Sequence, residues 1–361
     1  MEALNLYGAG DIRFEQSPKP TIMNDNEVIV RVETAGICGS DLSRYKKLGP
    51  YIPGTTFGHE CSGTIEEVGS NVSHLKEGMR VAVCPALPCG DCTQCRQGAY
   101  SRCPSLTVIG AVQPGAFAEY VKLPAENVLP LPNEIDADTA AFIEPAAVVA
   151  HGFYKTAIEP GADVAIIGCG SIGLLAIQWA KLFGARYVYA IDIDEQKLKV
   201  AKELGADQRV NPLDGPVHEQ IHDFTAGEGV DVAIEAAGTP VTSAQALALP
   251  KKGGEVVFLG IPYGDVTIER FYFEKIVRNE LRVHGSWNGL SAPFPGKEWK
   301  MAIHSLQTGA LQVKPLITHR LPLSDGPFVF KEMASGSPGY IKTLLYPGKT
   351  WKKERAINHL K

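Results

Sequence analysis

A surplus of basic charge is missing from this chain. Its 361 residues carry a formal net charge of -5, so nothing in the composition asks for nucleic acid or an anionic membrane surface as partner. A membrane-length apolar run is missing too. The longest uncharged stretch, VAIIGCGSIGLLAIQWA from Val164, is interrupted by three glycines, a serine and a glutamine, and it is too short for a span. The opening MEALNLYGAGDIRFEQ has no basic stretch leading into an apolar run, so it does not read as an export signal. The expected setting is a reducing cytoplasm, where disulfides rarely persist. There is no internal repeat and no low-complexity tract. Cysteine is sparse outside one place, because four of the eight fall between Cys89 and Cys103.

What is present is an ordinary globular composition, 45% hydrophobic and 21% charged, in a chain long enough for two cores. The clustered cysteines have the spacing C-x2-C-x2-C-x7-C, at Cys89, Cys92, Cys95 and Cys103. Two-residue gaps bring successive sulfurs around one point, which suits a closed tetrahedral zinc site that holds a loop and does no chemistry. An iron–sulfur cluster or a redox pair are the alternatives. Cys61, Cys84 and Cys169 read as small buried apolar residues.

From Val28 to about Val121 the chain reads as short β segments broken by glycine and proline, an irregular β domain. DADTAAFIEPAAVVAHGFYKTA is helical, with a break expected at Pro145. From Pro160 strand and helix alternate. That pattern predicts a doubly wound parallel sheet, so the fold class is α/β. After Trp287 the alternation stops. The expected division is 1–155 (with a cysteine lobe at about 84–104), 156–287, a return to the first domain over 288–349, and a basic tail at 350–361.

Gly168-Cys-Gly-Ser-Ile-Gly173 follows the strand VAII and opens a helix, which is the context a dinucleotide fingerprint needs. Gly168 serves the tight turn, Gly170 the approach to pyrophosphate, and Gly173 the packing of helix on strand. Asp192, at the end of the next strand, suits a ribose diol and repels a 2′-phosphate, so NAD is expected over NADP. Lys197 is expected near the same ribose. A further set combines soft and hard donors: Cys38 and His59 in glycine-rich turns, Glu60 beside the histidine, and Glu144 in apolar sequence. One Cys, one His and a carboxylate suit a catalytic zinc with an open position, and either glutamate can complete it.

Cys38-Gly-Ser-Asp41, Gly58-His59-Glu60, the four-cysteine lobe, Glu144-Pro145 and the late glycine motif stand in the order seen in zinc-dependent medium-chain dehydrogenases. The sequence resembles that family over all but the tail, and its polyol branch most. The resemblance implies a GroES-like catalytic domain, a Rossmann cofactor domain and two zincs per subunit. It implies Cys38, His59 and Glu144 or Glu60 as catalytic ligands, with Glu144 preferred, and Ser40 as the hydroxyl that passes the proton outward. It places Ile172, Gly260, Ile261 and Ser286 at the cofactor. Many relatives carry a histidine five residues after the cysteine. Ser43 stands there, a departure that argues against threonine as substrate.

Arg44 and Lys47 follow, and on an α-helical turn they would share a face and suit a phosphate. Trp287 and Asn288 stand where free-polyol enzymes often show Arg-Tyr. The expected reaction is reversible hydride transfer from a secondary alcohol of an alditol phosphate to NAD, giving a ketose phosphate. A free-polyol or vicinal-diol dehydrogenase is the alternative, and a non-catalytic NAD-binding protein a further one. A homodimer or homotetramer is expected.

Overall fold

The computed structural model of the chain describes residues 1–348; the basic tail expected at 350–361 lies outside them. Two compact units are built from it. Among the described residues, the first comprises Met1–Glu144, Ser291–Trp299 and residues 317–348; the second comprises Pro145–Leu290 and Lys300–Leu316.

In the first unit, a seven-stranded sheet runs in the order Val128–Pro130, Arg80–Val83, Glu60–Val68, Glu27–Gly36, Lys342–Tyr346, Ile317–Pro322, with Tyr120–Pro124 also paired to Glu27–Gly36. Glu27–Gly36 is therefore central, and Val28, Ile29 and Val30 are all buried rather than alternating, as a strand covered on both faces requires. Its core joins Leu4, Val30, Phe57, Ile65, Phe117 and Phe330. Register then places the chemistry. Gly36 lies opposite Glu60 on one side and Leu344 on the other. Cys38, Glu60 and Lys342 are thus drawn to one corner of the sheet.

In the second unit, six parallel strands run in the order Gln208–Val210, Tyr187–Ile191, Asp163–Ile167, Val230–Glu235, Pro250–Phe258, Arg282–Gly285. This is the doubly wound order 3-2-1-4-5-6, in which ligands meet the carboxyl ends of the strands where the order reverses. Ala165, Ile167, Ile191, Val210, Ala233 and Val256 make its core. The GroES-like and Rossmann α/β reading is the observed architecture. Among the described residues, no helix is long and apolar enough to cross a membrane.

One boundary differs from expectation. The helical stretch breaks before Pro145, not at it: the helices are Ala137–Ala140 and Ile143–Phe153. Pro145 sits in the first turn of the second, where a backbone N–H has no partner within the helix and proline costs nothing.

Candidate metal and dinucleotide sites

Cys38 follows strand Glu27–Gly36 and caps the short helix Gly39–Ser43. Asp41, only 2% exposed, organises the corner. Its Oδ2 accepts from the Cys38 N–H at 3.0 Å, and its Oδ1 lies 3.4 Å from Nδ1 of His59. Metal-binding histidines carry such an outer carboxylate, which orients the ring and fixes which nitrogen faces the ion. Burial works against a charged His59, yet the Asp41 carboxylate and the Cys38 sulfur outweigh it and hold its pKa well above the ordinary value.

The ligand atoms of Cys38, His59 and Glu60 all lie within 4.8 Å of one another. Glu60 is 1% exposed, and its Oε2 meets Nζ of Lys342 at 2.5 Å. Lys342, 3% exposed, also donates to the Ile37 carbonyl at 3.2 Å. Glu144 is half-buried and outside that three-residue group. Burial pushes its carboxyl up to about 7, Glu60 and Asp41 push the same way, and His59 and Lys342 oppose them. A cysteine sulfur, an imidazole and a carboxylate gathered in a partly buried corner fit a zinc ion with an open position. Ser40 stands half-buried in the turn that follows Cys38.

The four lobe cysteines also lie within 4.8 Å of one another and form no disulfide. Backbone N–H groups point at the sulfurs: Cys89 N to Cys103 Sγ, Cys92 N to Cys89 Sγ and Cys95 N to Cys92 Sγ, each 3.4 Å. Such donors stabilise thiolates. The Cys92 and Asp91 N–H groups lower the Cys89 thiol to about 6, while burial raises Cys95 to about 12. Four sulfurs in a closed cluster fit a structural zinc. Cys61, Cys84 and Cys169 are buried, as expected of packing residues.

Arg44–Leu48 winds as a π-helical turn closed by Gly49 N–H to Arg44 O at 2.8 Å. Residues three apart do not stack in an i→i+5 turn as they do in an α-helix, so Arg44 and Lys47 do not share a face. Arg44 is half-buried, donates from Nη1 to the Gly49 carbonyl at 3.1 Å, and lies over the Tyr51 ring at 3.6 Å. Lys47 is exposed.

In the second unit, Gly168, Asp192, Gly260 and Ser286 each lie just beyond the carboxyl end of a parallel strand, so one edge of the sheet brings them together. Gly168 has φ +91° and packs on Ala237, and Gly173 abuts the Gly168 backbone. At Gly170, which caps helix Ser171–Leu182, an added Cβ would meet nothing within 4 Å. The protein itself leaves that space, and a pyrophosphate fits it. Asp192 accepts from the N–H groups of Cys169 at 2.7 Å and Asp194 at 2.9 Å, which ties the glycine turn to the next strand. Lys197 is half-buried, with Nζ 4.0 Å from Asp194. Ile172 is half-buried; Ile261 and Trp287 are 54% and 51% exposed. Asn288 adopts φ +56°. Ser286 Oγ and Asn288 Nδ2 are buried without a hydrogen-bond partner among the described residues, which fits a polar ligand at this edge.

Two residues with evident roles escaped the sequence reading. Asp41 stood inside Cys38-Gly-Ser-Asp41, where an acid three residues beyond a ligand was a usable signal. Lys342 is 282 residues from Glu60, and nothing local marks it.

Comparison with known proteins agrees with this geometry. Residues 24–133 match the alcohol dehydrogenase GroES-like domain, and residues 171–307 match the zinc-binding dehydrogenase domain. Galactitol 1-phosphate 5-dehydrogenase of Escherichia coli K12 is 38% identical, covering 94% of this chain and 97% of the relative. The crystal structure of galactitol-1-phosphate dehydrogenase from Escherichia coli superposes with a TM-score of 0.91 at 37% identity, covering 96% of this chain and all of that one. Sorbitol dehydrogenase of Bacillus subtilis is 34% identical over 97% of this chain and 98% of its own. A putative zinc-binding dehydrogenase from Sinorhizobium meliloti, bound to NADP, has a TM-score of 0.88 at 36% identity, covering 96% of this chain and 99% of that one. The chain is an oxidoreductase acting on alcohols and belongs to the zinc-dependent medium-chain dehydrogenase family, in its polyol branch.

Proposed function

We propose that this enzyme oxidises a secondary alcohol of an alditol phosphate resembling galactitol 1-phosphate, with NAD as hydride acceptor, to a ketose phosphate. The observation that carries the phosphate is Arg44. Its guanidinium is fixed by Gly49 and Tyr51 a few residues after Cys38, and only part of its five-donor fork is used, so the rest can meet phosphate oxygens. The activity for which the Escherichia coli relative is named supports the same reading.

Cys38, His59 and Glu60 would hold the catalytic zinc, and the four lobe cysteines a second one. Zinc in the first site supplies Lewis acidity that lowers the pKa of a bound hydroxyl, and the dinucleotide supplies a hydride acceptor. The chain does the rest. Asp41 holds Nδ1 of His59 so that the other nitrogen is presented. Lys342 neutralises Glu60 in a corner that excludes water. Ser40, with a hydroxyl that both donates and accepts, passes the alcohol's proton outward. Asp192 has lone pairs left for a ribose diol and would repel a 2′-phosphate.

The test is a panel of matched alditols and alditol phosphates with NAD and NADP. Galactitol 1-phosphate should be the better substrate and NAD the better acceptor. Arg44→Ala should raise KM for the phosphate by about ten- to a hundredfold, with a smaller effect on kcat, because the phosphate is bound in ground and transition states alike. Turnover of a free alditol should scarcely change. A wild-type preference for free polyol removes the phosphate assignment, and equal use of NADP removes the role given to Asp192.

Free cysteines throughout fit a reducing, cytoplasmic setting. We also propose that the subunit associates with itself, as a homodimer or homotetramer. The support is helix Arg270–Arg278, whose Phe273 and Val277 are 56% and 64% exposed, and the neighbouring edge strand Arg282–Gly285.

A further inference from the structure

Glu235 closes strand Val230–Glu235 and is 0% exposed. A carboxylate so placed demands partners. Its Oε1 accepts three hydrogen bonds: from Ala237 N at 3.0 Å, Gly238 N at 2.8 Å and Thr242 Oγ1 at 2.8 Å. Its backbone carbonyl accepts from Leu259 N at 2.9 Å and Gly260 N at 3.0 Å. Oε2 is buried, has no hydrogen-bond partner among the described residues, and faces Gly260 so closely that a Cβ there would collide with it. Through these bonds one residue grips three turns. Ala237 is the surface on which Gly168 rests, since a Cβ at Gly168 would lie 2.8 Å from the Ala237 Cα. Gly238, at φ +65°, packs against Ile261, with 3.1 Å between a built Cβ and the Ile261 N and O.

Sheet order tells which part of a dinucleotide this serves. Asp192 ends the strand on one side of Asp163–Ile167, and Glu235 ends the strand on the other. With the adenosine ribose at Asp192 and the pyrophosphate at the glycine turn, the nicotinamide half extends toward Glu235, Gly260 and the unpartnered Ser286 and Asn288 atoms.

We propose that Glu235 is a positioning residue for the nicotinamide half of the cofactor, its carboxylate holding the Ala237–Gly238 turn against Gly168 and the Gly260–Ile261 loop. This rests on the dinucleotide reading of the second unit. Burial raises the Glu235 pKa, against the pull of its three donors, so a neutral amide of the same shape is a fair substitute for it.

The experiment is titration calorimetry of NADH and of AMP against wild type, Glu235→Ala, Glu235→Leu and Glu235→Gln, with thermal melting of each. Leu fills the volume but accepts no hydrogen bond; Gln keeps the acceptor. NADH affinity should fall at least about tenfold in the Ala and Leu variants, while AMP affinity stays within about twofold. Gln should bind NADH within about threefold of wild type. Equal losses for NADH and AMP would reduce Glu235 to a structural residue of the sheet and overturn the proposal. Unchanged NADH affinity in the Leu variant, or a Gln variant as weak as Leu, would overturn it as well. A wild-type protein that binds neither NADH nor NADPH would overturn the dinucleotide reading, and this proposal with it.

Discussion

Glu60 and Lys342 form an ion pair with both side chains almost wholly out of water. Such a pair contributes little net stability over a well-packed apolar pair, but losing one member leaves a buried charge and costs about 3–5 kcal/mol. Lys342→Met should therefore destabilise the first unit by about that amount, and Glu60→Gln combined with Lys342→Met should recover part of it. Chemical unfolding of the metal-free protein measures both. A double variant no more stable than Lys342→Met would mean that the lysine acts through its methylene packing. This pair also marks where sequence reasoning stops. Cys38, His59 and Glu60 sit in short turns whose residue types announce metal chemistry. Lys342 is an ordinary residue on a C-terminal strand, and only the antiparallel register of that strand beside Gly36 brings it to the metal corner. The choice between Glu60 and Glu144 has the same character: donor spacing allows either, and only the fold gathers the ligand atoms of Cys38, His59 and Glu60 within 4.8 Å of one another.

At the scale of elements, strands Asp163–Ile167, Tyr187–Ile191, Val230–Glu235 and Pro250–Phe258 of the second unit were legible because they are apolar runs next to glycine or acidic turns. The short strands Gln208–Val210 and Arg282–Gly285 and the helices Val217–Phe224 and Arg270–Arg278 were not, because they are short or carry exposed, charged residues. Two further details were not. Pro145 looks like a breaker until its place in the first helical turn is known, and Arg44–Leu48 gives no sequence sign of an i→i+5 turn. The gathering of the four lobe cysteines was legible from spacing alone, and the lobe's elements give a bound metal something to hold. Helix Thr93–Arg96, the 3-10 turn Tyr100–Arg102 and the two-residue strands Ala86–Leu87 and Thr107–Val108 are too short to stand by themselves. Besides the sulfurs, Tyr100 meets the Phe294 ring edge-on at 5.4 Å. Elemental analysis should give about two zincs per subunit in wild type and about one in Cys92→Ser. Tryptic cleavage after Arg96 or Arg102 should accelerate at least about tenfold in that variant, as a segment loses its local stability. NADH affinity, a property of the other unit, should stay within about twofold. Unchanged cleavage would show that the lobe holds its shape without the metal.

For the whole molecule, the feature that most needs a partner is an uncovered face of the second unit. Helix Arg270–Arg278 has no fully buried residue, although Phe273 and Val277 stand one turn apart on it and are more than half exposed. Ile268, Val266 and Phe271 nearby are also exposed. Among the described residues, the strand beyond, Arg282–Gly285, has a neighbour on one side only, and its Val283 is 45% exposed. Proteins usually blunt a free sheet edge with charge, proline or a cover. Here Arg282 supplies one charge, already engaged with Glu255 at 2.9 Å, and apolar side chains stand beside it. In the proposed self-association, a second copy of the same face would satisfy both needs at once, because a two-fold pairing of equal patches would cover the helices and let the two edge strands pair. Stable interfaces of this kind bury about 1,200–2,000 Å² in total, so two charges set into the apolar centre should abolish them. Sedimentation should find wild type at two or four times the 38.9 kDa chain mass. Phe273→Asp with Val277→Asp should sediment as a single chain, because both changes fall on exposed positions that the fold itself does not need. That variant should also keep its two zincs and bind NADH within about twofold, since neither metal cluster nor the glycine turn includes those residues. A wild-type protein that sediments at the mass of one chain would end the self-association reading, and an oligomer unmoved by the double substitution would place the contact elsewhere on the surface.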